Sequence, residues 1–235
     1  MFELIRQIVP NLQPRAIHCD FEQAAFKAME DCFPGVDING CFFHLAQNMK
    51  KQVAAMGYTR EYNADPQFAL NCRMLTALAF VPIEHLDDAF AVLAEALPAE
   101  HQPLVDWFED YYIGRMNRRG NGRRPSLFPQ RMWNLYQRTL DGEDRTNNHA
   151  EAAHRRLKME LGADHPTIWK FIDGLRQVQK GRDVYFEQLV AGNLPPLKLR
   201  KYRDADDRIS RLVGNFDANG DVLEFLRGLA HNYNM

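Results

Sequence analysis

The sequence predicts a mostly helical α/β fold, in which a few parallel strands are combined with a large all-helical insertion. Two observations support this class. In the first part of the chain, short apolar runs alternate with amphipathic helical patterns, and a strand–helix–strand–helix order is typical of a parallel sheet. Beyond Gly57, helical spacing of apolar residues replaces the strand pattern, and prolines separate the segments. We therefore expect helices to dominate.

Each element of the first part has its own local signal. Apolar residues at helical spacing predict that the first nine residues form a helix and not a strand. A short apolar run ending in Asp20 predicts a buried strand, and Pro34 with Gly35 ends the helix that follows. In chain order the predicted elements are a helix at 1–9, a strand at 15–20, a helix at 21–33, a strand at 36–43 and a helix at 45–56.

The rest of the chain shows helical spacing throughout. The predicted helices lie at 66–80, 83–97, 103–112, 128–140, 148–161 and 166–191, and a highly charged stretch of marginal hydrophobicity follows. The predicted organisation is a partial α/β core at 1–56, a helical insertion at 57–143, core helices at 144–191 and a charged helical tail at 192–235.

Composition excludes several protein classes. With 46% hydrophobic and 26% charged residues, the 235-residue chain can bury a globular core. It has no run of about 18 apolar residues, so we expect no membrane-spanning helix and no membrane partner. Four cysteines are too few for a disulfide scaffold and predict a reducing, intracellular compartment. The net charge of −2 excludes a chain that is basic throughout.

Positive charge is concentrated in one segment. Residues 111–140 include seven arginines and no acid, whereas the remaining residues carry a net charge of −9. Three glycines within residues 114–122 argue against a helix and predict a flexible arginine-rich loop. Such a loop can bind DNA phosphates, and a solvated surface loop is the alternative. The candidate DNA-binding residues are Arg115, Arg118, Arg119, Arg123 and Arg124.

Two acidic residues at element junctions are candidate site residues. Asp20 follows a predicted strand, at the edge where open α/β sheets bind ligands, although capping the next helix is the commoner role of such an Asp. Glu151 lies in the first turn of a predicted helix, where it could reach a divalent cation or simply favour the helix dipole. Asn148 is a candidate cap of that helix, and His154 shares the face of Glu151.

A thiol and an imidazole three residues apart mark another junction. Cys41 and His44 lie where the second predicted strand gives way to a helix. Structural zinc takes four ligands, and no second Cys/His pair accompanies these two, so zinc is not supported. The sequence also lacks a phosphate-binding glycine loop and the local motifs of serine and cysteine hydrolases.

At these residues the sequence resembles the transposase domain of Mutator-like elements (the MULE transposases), a branch of the RNase H-like nucleotidyl transferases. Six segments follow the family order from about residue 17 to about residue 179. They are Ile17–Ala25 (IHCDFEQAA), Gly40–Gln47 (GCFFHLAQ), Leu78–Pro82 (LAFVP), Met132–Asn134 (MWN), Arg145–Glu151 (RTNNHAE) and His165–Trp169 (HPTIW).

The resemblance implies an incomplete RNase H-like core with a helical insertion. It also implies metal-dependent DNA strand cleavage and transfer during DNA transposition in the nucleus, with Asp20 and Glu151 as the second and third catalytic acids. Both would be ligands of Mg²⁺ or Mn²⁺. The DNA would be transposon ends or non-specific duplex. The residues that would help to organise the site are Cys41, His44, Asn148 and His154.

One part of the family pattern is not found. The family's first catalytic Asp lies on an upstream strand, and residues 1–19 contain no Asp. We therefore expect a fragment that is inactive on its own and binds DNA without cleaving it. The alternative is a non-catalytic, transposase-derived module that binds DNA or protein. Loss of the upstream hairpin would also leave the strand at Ile17 with an open edge, which predicts self-association.

Overall fold

The structure, a computed structural model, describes the chain except residues 120, 121, 147, 163, 164, 195–198 and 234 and the side chains of residues 148–151 and 201. The chain forms two compact units, residues 1–146 with 204–235 and residues 147–203. The described part is mostly helical with a small parallel sheet, which confirms the predicted class. A two-stranded sheet does not by itself identify an RNase H-like core.

In chain order the elements are α1 Phe2–Ile8, β1 Ala16–Cys19, α2 Gln23–Cys32, β2 Asp37–Gly40, α3 Phe42–Ala55, α4 Thr59–Ala64, α5 Pro66–Ala77, α6 Leu86–Ala96, α7 Gln102–Phe108, α8 Gln130–Trp133, α9 Tyr136–Leu140, α10 Asn148–Leu161, α11 Ile168–Val190, α12 Arg200–Gly214 and α13 Val222–Ala230. Short 3₁₀ turns lie at Leu78–Phe80, Ile83–His85 and Ala99–His101, and a π-helical turn lies at Glu109–Ile113.

β1 and β2 pair in parallel, with Ala16 opposite Asp37 and Cys19 opposite Gly40. The helix α2 connects them, as a parallel pair requires. Gly40 is needed for close packing, since a Cβ at this position would lie 2.8 Å from the Phe21 ring and 3.3 Å from the Met132 carbonyl oxygen. The second strand is shorter than predicted, because α3 already begins at residue 42.

The helix α5 lies at the centre of the first unit's core. Asp65 caps its N-terminus by accepting a hydrogen bond from the Gln67 backbone N–H (2.8 Å), and nearly every later side chain of α5 is buried. The helix α13 packs against α5. Arg73 Nε donates to the Ala230 carbonyl (3.0 Å), and the Tyr233 hydroxyl donates to the Arg73 carbonyl (2.6 Å).

Residues 204–235 of the charged tail contribute to this core. Four of their apolar side chains, Ile209, Val213, Leu226 and Leu229, are at most 2% exposed. Burying a large aliphatic side chain stabilises a fold by about 1.5–3 kcal/mol. Residues 204–235 are therefore an integral part of the first unit.

The prediction of one helix at 128–140 is wrong in one respect, because two short helices, α8 and α9, occupy this range. Asn134 and Leu135 leave the helical path to make long-range hydrogen bonds. The Asn134 side-chain amide donates to the Val81 carbonyl (2.7 Å), and the Leu135 backbone N–H donates to the Ala79 carbonyl (2.6 Å). These bonds replace those of a continuous helix.

The second unit is built mainly from α10 and α11. Glycines bring the two helices close, since a Cβ at Gly174 would lie 2.5 Å from Leu161 and one at Gly181 would lie 2.9 Å from the Arg156 guanidinium. Thr167 caps α11 by accepting a hydrogen bond from the Lys170 backbone N–H (3.4 Å). Across the described residues, no helix combines the length and apolarity needed to cross a membrane.

Candidate functional site

The carboxyl ends of β1 and β2 meet at one edge of the sheet. The Cys41 backbone N–H donates a hydrogen bond to the Cys19 carbonyl (3.1 Å), which continues the ladder one residue past β2. Asp20 follows β1 directly, and α3 begins just after Cys41. The sheet therefore brings together two segments that are about 20 residues apart in sequence. We call this place, with Asp20, Cys41 and His44, the sheet-edge site.

Asp20 and His44 are paired at the sheet-edge site. His44 Nδ1 lies 3.0 Å from Asp20 Oδ1, and the Asp20 side chain is 53% exposed. The N-cap position of α2 is occupied by Glu22, whose side chain makes no capping hydrogen bond. Asp20 therefore does not occupy the N-cap position of α2.

The two thiols near this edge are buried. Cys41 is 1% exposed and Cys19 is 7% exposed. Burial, with smaller contributions from the neighbouring Asp20 and Cys41, raises the pKa of Cys19 to about 11. A protonated thiol is a poor metal ligand. Within the part of the chain that the structure describes, no group of three His, Cys, Asp or Glu side chains could hold a metal ion.

Arg138 joins the two strands to the segment that precedes α10, a role that the sequence did not predict. Its guanidinium is almost fully buried and donates to the Gly40 carbonyl (3.3 Å) and to the Asp144 carbonyl (2.6 Å). It also lies 3.3 Å from His18 Nδ1. Because Arg only donates, His18 accepts at Nδ1 and carries its proton on Nε2. Burial and the Arg138 charge both lower the pKa of His18.

The segment that precedes α10 lies against the start of α3. The Phe42 backbone N–H donates to the Arg145 carbonyl (3.0 Å). The Arg145 guanidinium forms an ion pair with Asp206 and lies 5.9 Å from the centre of the Phe80 ring. Arg145 is the first residue of the segment Arg145–Glu151, for which the resemblance implies that Glu151 is the third catalytic acid.

The three candidate residues on α10 differ in what is described. His154 is exposed on that helix. The side chains of Asn148 and Glu151 lie outside the described residues, although both residues belong to α10. Their proposed roles therefore remain predictions.

The arginine-rich segment forms a hairpin, and its two ends pair in an antiparallel arrangement. Met116 and Arg123 form an isolated β-bridge, and the Arg124 backbone N–H donates to the Arg115 carbonyl (2.8 Å). Gly114 has a φ of +90°, and a Cβ there would lie 2.0 Å from the Arg124 carbonyl oxygen. Only glycine fits this position. The two ends of the predicted loop are thus paired, and we call residues 114–119 and 122–124 the arginine hairpin.

Two of the five candidate arginines form ion pairs with acids, which the sequence did not predict. Arg115 forms an ion pair with Asp110 and donates to its second carboxylate oxygen at 3.0 Å. Arg123 Nη1 donates to Glu109 (2.7 Å), and its Nε lies 2.8 Å from an Asp87 oxygen. The Arg123 side chain is 12% exposed. Phosphate binding by either residue would have to compete with an existing ion pair, which is exposed at Arg115 and largely buried at Arg123.

The other three arginines of the arginine hairpin are exposed, and none forms an ion pair with a described residue. They are Arg118, Arg119 and Arg124. The acids that neutralise Arg115 and Arg123 come from outside the acid-free segment, so the sequence count of positive charge overstates what the surface presents. The exposed positive charge is concentrated on these three residues.

Comparisons with known proteins found no relative. No protein-family model, no curated protein and no solved structure matches the chain.

Proposed function

We propose that the chain is a transposase domain of the MULE type that binds DNA through the arginine hairpin and places Asp20 at its reaction centre. The observation that carries the proposal is the meeting of Asp20, Cys41 and His44 at the sheet-edge site. The resemblance implies that Cys41 and His44 help to organise the site of Asp20. Asp20 comes from the end of one strand, and Cys41 and His44 come from the segment after the other. The proposal also includes a nuclear location and DNA transposition as the process, both on the resemblance alone.

The metal part of the proposal depends on Glu151. Mg²⁺ and Mn²⁺ favour oxygen ligands, and Asp20 supplies one carboxylate, one oxygen of which lies 3.0 Å from His44. The described residues alone therefore do not fit a two-metal centre. Glu151 enters as a ligand from the resemblance, and we derive no reaction step through the metal.

A non-catalytic DNA-binding module is the second candidate function. The observation that favours it is the exposure of Arg118, Arg119 and Arg124, which can bind phosphate without any catalytic group. The two candidates share DNA binding, and neither is expected to nick DNA as this chain alone. Nicking of a supercoiled plasmid with Mg²⁺ or Mn²⁺ that Asp20→Asn abolishes would therefore exclude the non-catalytic module and overturn the expected inactivity of the fragment.

DNA binding tests the part that both candidates share. We expect weak binding to duplex DNA without sequence preference, measured by fluorescence anisotropy between roughly 50 and 200 mM KCl. Replacing Arg118, Arg119 and Arg124 with Ala should weaken binding and lower the salt slope by about one for each phosphate that the variant no longer binds. Arg123 is left unchanged, because its side chain supports the fold.

A matched control removes the same charge elsewhere in the first unit. Lys51, Arg60 and Arg227 are exposed and far from the arginine hairpin in sequence. Their triple Ala variant should keep the wild-type salt slope. If the two triple variants lose affinity equally, binding reflects net charge alone and the arginine hairpin is not the DNA interface.

A further inference from the structure

An aromatic surface lies beside the base of the arginine hairpin. Tyr111 is 40% exposed and belongs to the π-helical turn just before Gly114. The chain returns from the hairpin at Phe128, whose backbone N–H donates to the Tyr111 carbonyl (2.9 Å). Tyr111 therefore lies where the hairpin leaves and rejoins the helical body, close in the chain to the arginines.

The Tyr111 ring rests on a rigid support. Its centroid lies 5.5 Å from that of Trp107, with the ring planes inclined by 34°. Trp107 in turn contacts Tyr112 edge to face at 5.5 Å, and Tyr112 is fully buried between Phe108 and Phe128. A ring held in this way loses little freedom when a second flat group stacks on it.

The charges around this surface suit a nucleic acid more than an apolar peptide. Arg115 neutralises Asp110, and Arg123 neutralises Glu109, so the acids nearest to Tyr111 do not repel phosphate strongly. The exposed Arg118, Arg119 and Arg124 remain available. Exposed aromatic rings next to unneutralised arginines are the combination that binds single strands, in which bases offer their faces and phosphates lie alongside.

We propose that Tyr111 and the arginine hairpin together bind single-stranded DNA, with a base stacked on Tyr111 and phosphates on the arginines. This inference rests on the proposed DNA-binding function and names the form of DNA that this surface prefers. Duplex DNA hides its base faces, so it contacts the arginines but gains nothing from Tyr111. The surface therefore prefers unpaired over paired DNA.

Anisotropy with labelled oligothymidylate and a duplex, each of about 20 nucleotides or base pairs, tests the preference. We expect the full chain to bind the single strand more tightly. Tyr111→Ala should weaken single-strand binding by about fivefold or more and duplex binding by less than about twofold. Tyr111→Phe keeps the ring and should bind like the wild type.

The arginine variant separates the two proposals. If replacing Arg118, Arg119 and Arg124 weakens binding to both DNAs while Tyr111→Ala changes neither, the stacking surface is wrong and the DNA interface stands. If neither variant changes binding, both proposals are wrong.

A direct contact can be measured without a destabilising variant. A 5-iodouracil base in the single strand should cross-link on irradiation to Tyr111 of the wild-type chain, located by mass spectrometry of the digest. A cross-link found only at aromatic residues away from the hairpin, such as Trp169 or Tyr202, would overturn the inference.

Discussion

Replacing Arg123 with Ala tests the structural role that separates this arginine from its neighbours. Its guanidinium donates to Glu109 and to the Gly114 carbonyl, both at 2.7 Å, and lies 5.5 Å from the centre of the Phe90 ring. The Arg123 and Glu109 side chains are 12% and 19% exposed. Arg123 thus connects the base of the arginine hairpin to α6 and to the turn after α7.

The expected loss follows from these contacts. A hydrogen bond to a charged group contributes about 1.5–3 kcal/mol, and a cation–π contact adds about 0.5–2 kcal/mol. The Asp87 carboxylate is 57% exposed, so solvent screens its share. We expect the free energy of unfolding to fall by about 2–4 kcal/mol, which corresponds to roughly 5–15 °C in Tm for a unit of this size.

Tryptophan fluorescence can report the first unit alone. Trp107 and Trp133 belong to that unit and Trp169 to the second, so the measurement uses a Trp169→Phe background. Arg119→Ala is the matched control, and its stability should change by less than about 0.5 kcal/mol. Equal stability of the Arg119→Ala and Arg123→Ala proteins would refute the reasoning.

A double-mutant cycle isolates the ion pair itself. Arg123→Met removes the charge and keeps most of the aliphatic stem, and Glu109→Gln removes the partner's charge. The double variant should lose less stability than the sum of the single variants, because each single change leaves a partly buried charge without its partner. Additive losses would show that the pair contributes nothing.

Two further predictions concern buried titratable groups. Burial lowers the pKa of His101 below its ordinary 6.5. As the pH falls through 6.5, the unfolded chain therefore binds more protons than the folded chain, and the folded state loses stability. The urea midpoint should therefore drop between about pH 7.5 and about pH 5 and drop less in His101→Phe; equal drops would exclude His101 as the cause. Burial raises the pKa of Cys19 to about 11 and of Cys72 to about 12, so brief iodoacetamide treatment should label half-buried Cys32 first. Preferential labelling of Cys72, seen by mass spectrometry, would contradict this.

The local elements could be predicted because their signals are local. The strand at β1, the helix α2 and the helix α5 follow from apolar periodicity, from the prolines that separate the helical segments and from Pro34 and Gly35 at a helix end. The first nine residues were predicted to form a helix, and α1 confirms this.

The missed features of the fold involve contacts between distant residues. The break at Asn134 and Leu135 depends on carbonyl groups of residues 79 and 81, which lie more than 50 positions earlier. Apolar residues are a minority in the charged helix α12, and only the burial of Ile209 and Val213 within the first unit reveals their role. Local periodicity holds no information about such partners.

Among the candidate site residues, the sequence by itself determined that Asp20 and Cys41 each follow a short strand, and the parallel pairing of those strands brings them to one edge of the sheet. It also determined where positive charge is concentrated. Only the tertiary structure decided that His44 pairs with Asp20, that Arg138 joins the strand ends, and which hairpin arginines remain exposed. The physical reason is that the charge a side chain presents depends on its neighbours in space, and the acids facing Arg123 come from two other segments of the chain.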